Sequence, residues 1–191
     1  MTAFLERRGW FKLTAGWVHP GFTYPPHLSA SQATAIEVFA NGPELDCDKW
    51  EERFLLMAKQ VSAWSKDPST QVGAVVVRDR KVLGLGYNGF PRGIEDLPRL
   101  LADREEKYRR VVHAEINAIL TAGYVEDAEM YLWPCLPCSQ CTGAIIQAGI
   151  SRIVAPETPA ALEARWNFGL TRQLLAEAGV AFTEVRRNAI E

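Results

Sequence analysis

Two short stretches of this 191-residue chain carry residue types able to do chemistry together. "VVHAEINAIL" sets His113 two positions before Glu115, and "PCLPCSQC" further along holds Cys135, Cys138 and Cys141, three of the four cysteines. A neutral imidazole and two thiolates are a zinc-type donor set, and three protein ligands leave a fourth coordination position open for water. His113, Cys135 and Cys138 are read as those ligands, with Pro134 setting the turn and the C-x-x-C spacing letting both sulfurs reach one centre. Glu115 is too close to His113 to be needed as a further ligand and is placed to move a proton of that water. Cys141 lies one turn beyond Cys138. As a fourth ligand it would close the site into a structural one, and it is read instead as a small buried hydrophobe. Cys47, His19 and His27 follow no ligand spacing and are read as structural or exposed.

These residues need elements that bring them to one place. "DKWEERFLLMAKQVSAW" puts Trp50, Phe54, Met57, Val61 and Trp64 at steps of four and three behind a capping box of Asp48 and Glu51, which predicts a first helix. "QVGAVVVRD" and "KVLGLGYN", joined through "RDRK", predict a hairpin. After a loop come a helix from His113 to Ala122, a strand at "EMYLW" and a helix from Leu136 to Ala148 closed by Gly149. A strand at "SRIVA", a long helix from Pro159 to Ala178 and a strand at "VAFTEV" complete the order αββαβαβαβ. Strands alternating with helices after an opening hairpin imply right-handed crossovers and a mixed five-stranded sheet covered on both faces. In that topology the second and third helices start on one edge of the sheet. Their N-termini are positive, which favours thiolates there.

Composition narrows the possibilities. A hydrophobic content of 48% over this length supports one domain with a real core, and a formal net charge of −2 gives no reason to expect a nucleic-acid polymer or an anionic membrane as partner. No apolar run has the length of a membrane span and the N-terminus lacks a signal-like centre, so the expectation is a cytosolic protein whose clustered cysteines serve metal or catalysis. Residues 1–45, with "VHPGFTYPPHLS" and a short helical stretch at "SQATAIEVFANG", read as an N-terminal arm of unknown role ahead of a domain over 46–191.

"HAEINA" followed by "PCLPC" resembles the H-x-E…P-C-x-x-C signature of the zinc-dependent nucleoside and nucleotide deaminases. "SKDPSTQVGAVVV", "GLGYNGFPRG" and "QAGISRIV" are similar to the deoxycytidylate deaminase family, over residues 49–185. The resemblance implies a three-layer α/β/α cytidine-deaminase-like fold, one catalytic zinc ion on His113, Cys135 and Cys138, and Glu115 as proton shuttle. It implies deamination of dCMP to dUMP and ammonia in pyrimidine deoxynucleotide metabolism, and a homo-oligomer, commonly a hexamer. Regulated members carry a C-S-D-D-like stretch after "NG" where this chain has "GIEDLPRLL", so control by dCTP and dTTP is not expected.

Asn88 matches the position at which related deaminases hold substrate, since an amide both donates and accepts; Asn-Gly is also a turn signal. Gly73 and Ala74 would keep the strand thin beneath a flat ring, or serve tight sheet packing. For the phosphate, "SKDP" offers Ser65 and Lys66 and "FPRG" offers Arg92, with no choice among them from sequence. Arg109 and Arg110 read as a solvated face. Two rivals stand beside this reading: a zinc deaminase acting on a base within nucleic acid, against which the charge balance argues, and a zinc-stabilised binding module, against which Glu115 and the three-ligand count argue.

Overall fold

In a computed structural model, the structure describes residues 11–13, 16–18, 48–163, 165, 166, 168–187 and 190. Within residues 1–45, β1 (Phe11–Leu13) and β2 (Gly16–Val18) pair antiparallel, Phe11 opposite Val18. The helix expected at "SQATAIEVFANG", together with His19, His27 and Cys47, lies outside the described residues.

Helix α1 (Lys49–Ser62) begins at the predicted capping box: Asp48 Oδ1 accepts from Trp50 N at 2.6 Å and Glu51 N at 3.0 Å, and Asp48 N donates back to Glu51 Oε2 at 3.1 Å. Its inward face differs from the expected stripe. Phe54, Leu55, Ala58, Val61 and Ser62 are buried, whereas Met57 and Trp64 are exposed. The helix lies against Gly73, where a Cβ would meet Ala58 O at 2.0 Å and Ser62 N at 2.6 Å, so small residues rather than Met57 set the contact.

Strands β3 (Gly73–Arg78) and β4 (Lys81–Tyr87) form the predicted hairpin. Its two turn residues, Asp79 and Arg80, have φ of 52° and 62°, the left-handed conformation that a two-residue turn needs to match strand twist. With β5 (Glu129–Trp133), β6 (Arg152–Pro156) and β7 (Ala181–Val185) they make a five-stranded sheet of order β4-β3-β5-β6-β7. β3 is antiparallel to both its neighbours, while β5–β6 and β6–β7 are parallel, so the sheet is mixed as the alternation implied.

The period of two along each strand divides the interior into two cores. Val75, Val77, Tyr131, Val154 and Val185 pack with Phe54, Leu55 and Ala58 of α1. Ala74, Val76, Met130, Leu132, Ile153 and Phe182 pack on the opposite side with α4 (Ala114–Ala122), α5 (Ser139–Gln147) and α7 (Phe168–Ala178). Three layers result.

Three departures from expectation matter for the site. The stretch read as loop contains α2 (Pro98–Ala102), too short to show a helical period, and α3 (Arg104–Arg110), a polar helix without apolar periodicity. The second is capped by Asp103, whose Oδ1 accepts from Glu105 N at 3.0 Å and Glu106 N at 3.1 Å. The long helix expected from Pro159 to Ala178 is two, α6 (Ala160–Glu163) and α7; Leu162 O closes the first by accepting from Arg165 N and Trp166 N, each at 3.0 Å. Finally, α5 starts at Ser139 and not at Leu136. A residue before proline is biased out of the α region, and Leu136 precedes Pro137.

Candidate active site

His113 is the N-cap residue of α4 and Cys138 the N-cap residue of α5. Both helices cover the same side of the sheet, so the two starts converge as the topology predicted. α4 is seated by glycines: a Cβ at Gly84 would meet Ala122 N at 2.6 Å, and one at Gly86 would meet Ala114 O at 2.2 Å and Ala118 N at 2.3 Å. The "GLG" of β4 therefore lets the helix backbone rest on the strand. At the same end, Gly89 and Val112 exchange backbone hydrogen bonds of 3.1 and 2.8 Å, and Asn117 Nδ2 donates to Tyr87 O at 2.8 Å. These links set Asn88 beside His113.

The donor atoms of His113, Cys138 and Cys141 lie within 4.8 Å of one another. His113 Nδ1 is 3.5 Å from Cys138 Sγ and 3.3 Å from Cys141 Sγ. Cys135 is not in this group. The expectation that Cys135 and Cys138 are the sulfur pair is corrected to Cys138 and Cys141. The reason is the helix start: with Cys138 as N-cap, Cys141 falls at the third helical position, in the same turn, while Cys135 precedes the helix by a full C-x-x-C step. The signature P-C-x-x-C fits this chain twice, at 134–138 and at 137–141. Burial pushes the Cys135 thiol up to about 12, the behaviour of the packed hydrophobe that Cys141 was expected to be.

Hydrogen bonding from Cys141, and then from His113, holds Cys138 well below the usual thiol range, toward the thiolate a metal requires. Glu115 sits in the first turn of α4, only 4% exposed, and its Oε2 has no hydrogen-bond partner. Burial pushes its carboxyl up, partly opposed by His113. An orphaned buried carboxylate oxygen is costly and rare. Beside an N,S,S donor set it fits a site built around a cation and a proton-exchanging ligand. His113, Cys138 and Cys141 are positioned to bind one metal ion, and their chemistry suits zinc.

His113, Glu115 and Cys138 open on one cavity, which Asn88, Lys107, Tyr108, Cys135, Arg165 and Trp166 also line. Asn88 is buried, and its amide is already engaged: Oδ1 accepts from Val72 N at 2.8 Å, and Nδ2 donates to Thr70 O at 3.0 Å. It shapes the wall formed by residues 70–72. Ser65 supports it from behind, its Oγ donating to Asn88 O at 2.8 Å. Lys66 is exposed and paired with Asp96 at 2.8 Å, lining a neighbouring cavity. Arg92 is exposed and lines neither cavity. Gly73 faces α1, and Ala74 packs in the core beneath α4. Arg109 and Arg110 pair with Glu105 and Glu106 along the surface of α3, a solvated face as read.

Sequence reasoning missed Cys141, Lys107, Tyr108, Arg165 and Trp166. Lys107 is 3% exposed, an uncommon place for a lysine, and is stabilised by Asp67 Oδ1 at 2.8 Å and Ser69 Oγ at 3.1 Å. No local signal marked it, because its partner lies forty residues away.

An α/β/α sandwich with N, S and S donors at two converging helix starts, and a buried carboxylate in the same turn as the histidine, defines a zinc-dependent hydrolase of the deaminase type. The profile of the cytidine and deoxycytidylate deaminase zinc-binding region matches residues 48–157, and the chain belongs to that family. It is 40% identical over 138 residues to a protein of Aliivibrio fischeri described as an uncharacterized deaminase in the luxG 3′ region, covering 71% of this chain and 92% of the relative. It is 42% identical over 114 residues to the deoxycytidylate deaminase of Mus musculus, covering 56% of this chain and 64% of that one. Among solved structures it is similar in fold to the dCMP deaminase of cyanophage S-TIM5 in complex with dCMP and dUMP, with a TM-score of 0.57, 23% identity and coverage of 72% of this chain and 98% of the other.

Proposed function

We propose that the protein deaminates dCMP hydrolytically to dUMP and ammonia. The observation that carries this reading is Glu115, a buried carboxylate with an unpartnered oxygen in the cavity lined by His113 and Cys138, whose donor atoms group with that of Cys141. The mouse and human relatives, both described as deoxycytidylate deaminases, support the choice of substrate.

His113, Cys138 and Cys141 would hold a zinc ion, whose Lewis acidity would let water lose a proton near neutral pH. Glu115 takes that proton and delivers it to N3 of the cytosine ring as oxygen adds at C4. It then takes the remaining proton from the oxygen now on C4 and gives it to the exocyclic nitrogen as the C4–N bond breaks and ammonia leaves, so one carboxyl acts twice as base and twice as acid. Asn88 holds the 70–72 wall against which the nucleotide rests. The catalytic domain is residues 46–191, and a chain lacking 1–45 should keep its zinc and most activity.

A homo-oligomer, in the hexameric form common to the family, belongs to the same reading, with Leu120 and Tyr124 at the end of α4 as exposed apolar surface to be covered. Among the described residues no helix is long and apolar enough to cross a membrane. A cytosolic placement fits the free cysteines Cys135, Cys138 and Cys141.

The test is to offer purified, zinc-loaded protein dCMP, deoxycytidine and a cytosine-containing oligonucleotide and to follow ammonia release. Turnover of dCMP well above both others is expected. Turnover of the oligonucleotide alone would replace the reading with a nucleic-acid deaminase.

A further inference from the structure

The cavity that holds Glu115 is lined by two basic side chains, Lys107 and Arg165, and they differ in how they are compensated. Lys107 forms a buried ion pair with Asp67 and donates a second bond to Ser69. Lys66, in the neighbouring cavity, is paired with Asp96. Arg165, in the turn between α6 and α7, has no carboxylate within ion-pair distance among the described residues. Its contacts are the Tyr108 hydroxyl, to which it donates, and the Trp166 ring, 5.2 Å from the guanidinium carbon to the ring centroid. Trp166 in turn lies 5.8 Å from the Tyr108 ring, so the guanidinium is held by two aromatic side chains from two separate segments.

We infer that Arg165 receives the phosphate of a nucleoside monophosphate and so sets the preference for nucleotide over nucleoside; this rests on the proposed deaminase reading. A guanidinium presents several N–H donors in a plane, and one or two bonds to aromatic partners leave others free for phosphate oxygens. No carboxylate among the described residues neutralises its charge, so a dianion gains the full interaction rather than displacing one. The Tyr108 oxygen accepts from Arg165, which leaves its own hydroxyl proton available to the same anion. Lys107, with its charge matched by a buried carboxylate, is a positioning residue for the 67–70 wall.

The experiment measures kcat/KM for dCMP and for deoxycytidine in the parent, Arg165→Gln, Arg165→Lys and Tyr108→Phe, with zinc content and Tm for each. Arg165→Gln should lower kcat/KM for dCMP on the order of 10- to 100-fold, mainly through KM, and leave deoxycytidine near the parental value. Arg165→Lys should recover part of the loss, because charge is kept and the planar fork is not. Tyr108→Phe should lose less than Arg165→Gln. Were Arg165→Gln to lose its fold, Arg165→Lys and Tyr108→Phe would still report through the ratio of the two substrates. A parent that prefers dCMP, with all three variants keeping that preference, overturns the assignment of Arg165 alone. So does collapse of the preference in Lys66→Gln or Arg92→Gln instead. A parent equally active on both substrates overturns the nucleotide reading beneath it.

Discussion

The two helix starts that meet at the site are held in opposite ways. α4 rests on β4 through backbone contact at Gly84 and Gly86, where no side chain fits. The start of α5 is held by side chains: Thr142 Oγ1 donates to Cys138 O at 2.9 Å, and Thr171 Oγ1, from α7, donates to Pro137 O at 2.8 Å. Both threonines are fully buried. The first start is fixed chiefly by that close backbone approach, with the Gly89–Val112 pair and the Asn117 bond to Tyr87 O beside it. The second is fixed by hydrogen bonds that can be removed one at a time. The difference suits the proposed roles: Glu115, the proposed proton shuttle, sits on the start held by close backbone approach, and two of the three metal donors sit on the one a bound ion would itself tighten.

The largest effect is expected where chemistry is removed and both starts are left intact. Glu115→Gln keeps the shape and all three donors, so zinc content and Tm should stay near the parental values. Turnover of dCMP should fall by at least about 10⁴-fold, since one group serves several proton transfers. Retention of more than about a tenth of parental activity would show that Glu115 is not the shuttle.

Next comes the cysteine pair on the second start. Cys141→Ala should lose zinc, measured by elemental analysis, and with it much of the thermal stability that metal binding contributes. Cys135→Ala should keep zinc and lose only the packing of a small buried side chain. The reverse pattern would restore the 135–138 pair as ligands and contradict the helix start at Ser139.

Smaller effects compare the two starts directly. Gly86→Ala forces a Cβ to within 2.2 Å of Ala114 O and should cost about 1–3 kcal/mol in denaturant unfolding, with loss of activity as α4 lifts. Thr171→Val removes a single buried donor and should cost about 1 kcal/mol, with faster zinc loss to a chelator and little change in α4. Equal behaviour of the two variants would mean that the starts are not independently held.

Much of this architecture was legible in the chain. The capping box at Asp48, the hairpin through Asp79 and Arg80, the strand–helix alternation and the placing of His113 and Glu115 at a helix start all follow from local pattern, and the structure agrees with each. What failed did so for physical reasons. The apolar period of α1 pointed to Met57 and Trp64, but close packing at Gly73 turned the helix toward Ala58 and Ser62. Helix α3 has no apolar stripe to betray it, and its one buried cation, Lys107, is explained by a partner distant in sequence.

The cysteine stretch marks the boundary between the two kinds of information most clearly. By itself the sequence determined that a histidine, a glutamate and a C-x-x-C pair would meet at two helix starts, because residue type, spacing and strand–helix order are local properties of the chain. It could not choose between Cys135–Cys138 and Cys138–Cys141, since both pairs have the same spacing and each follows a proline. The tertiary structure decided by where α5 begins: anchored through Thr171 to Pro137, the helix starts at Ser139, and the first turn then carries Cys138 and Cys141 to His113 while Cys135 stays in the packed wall of the cavity.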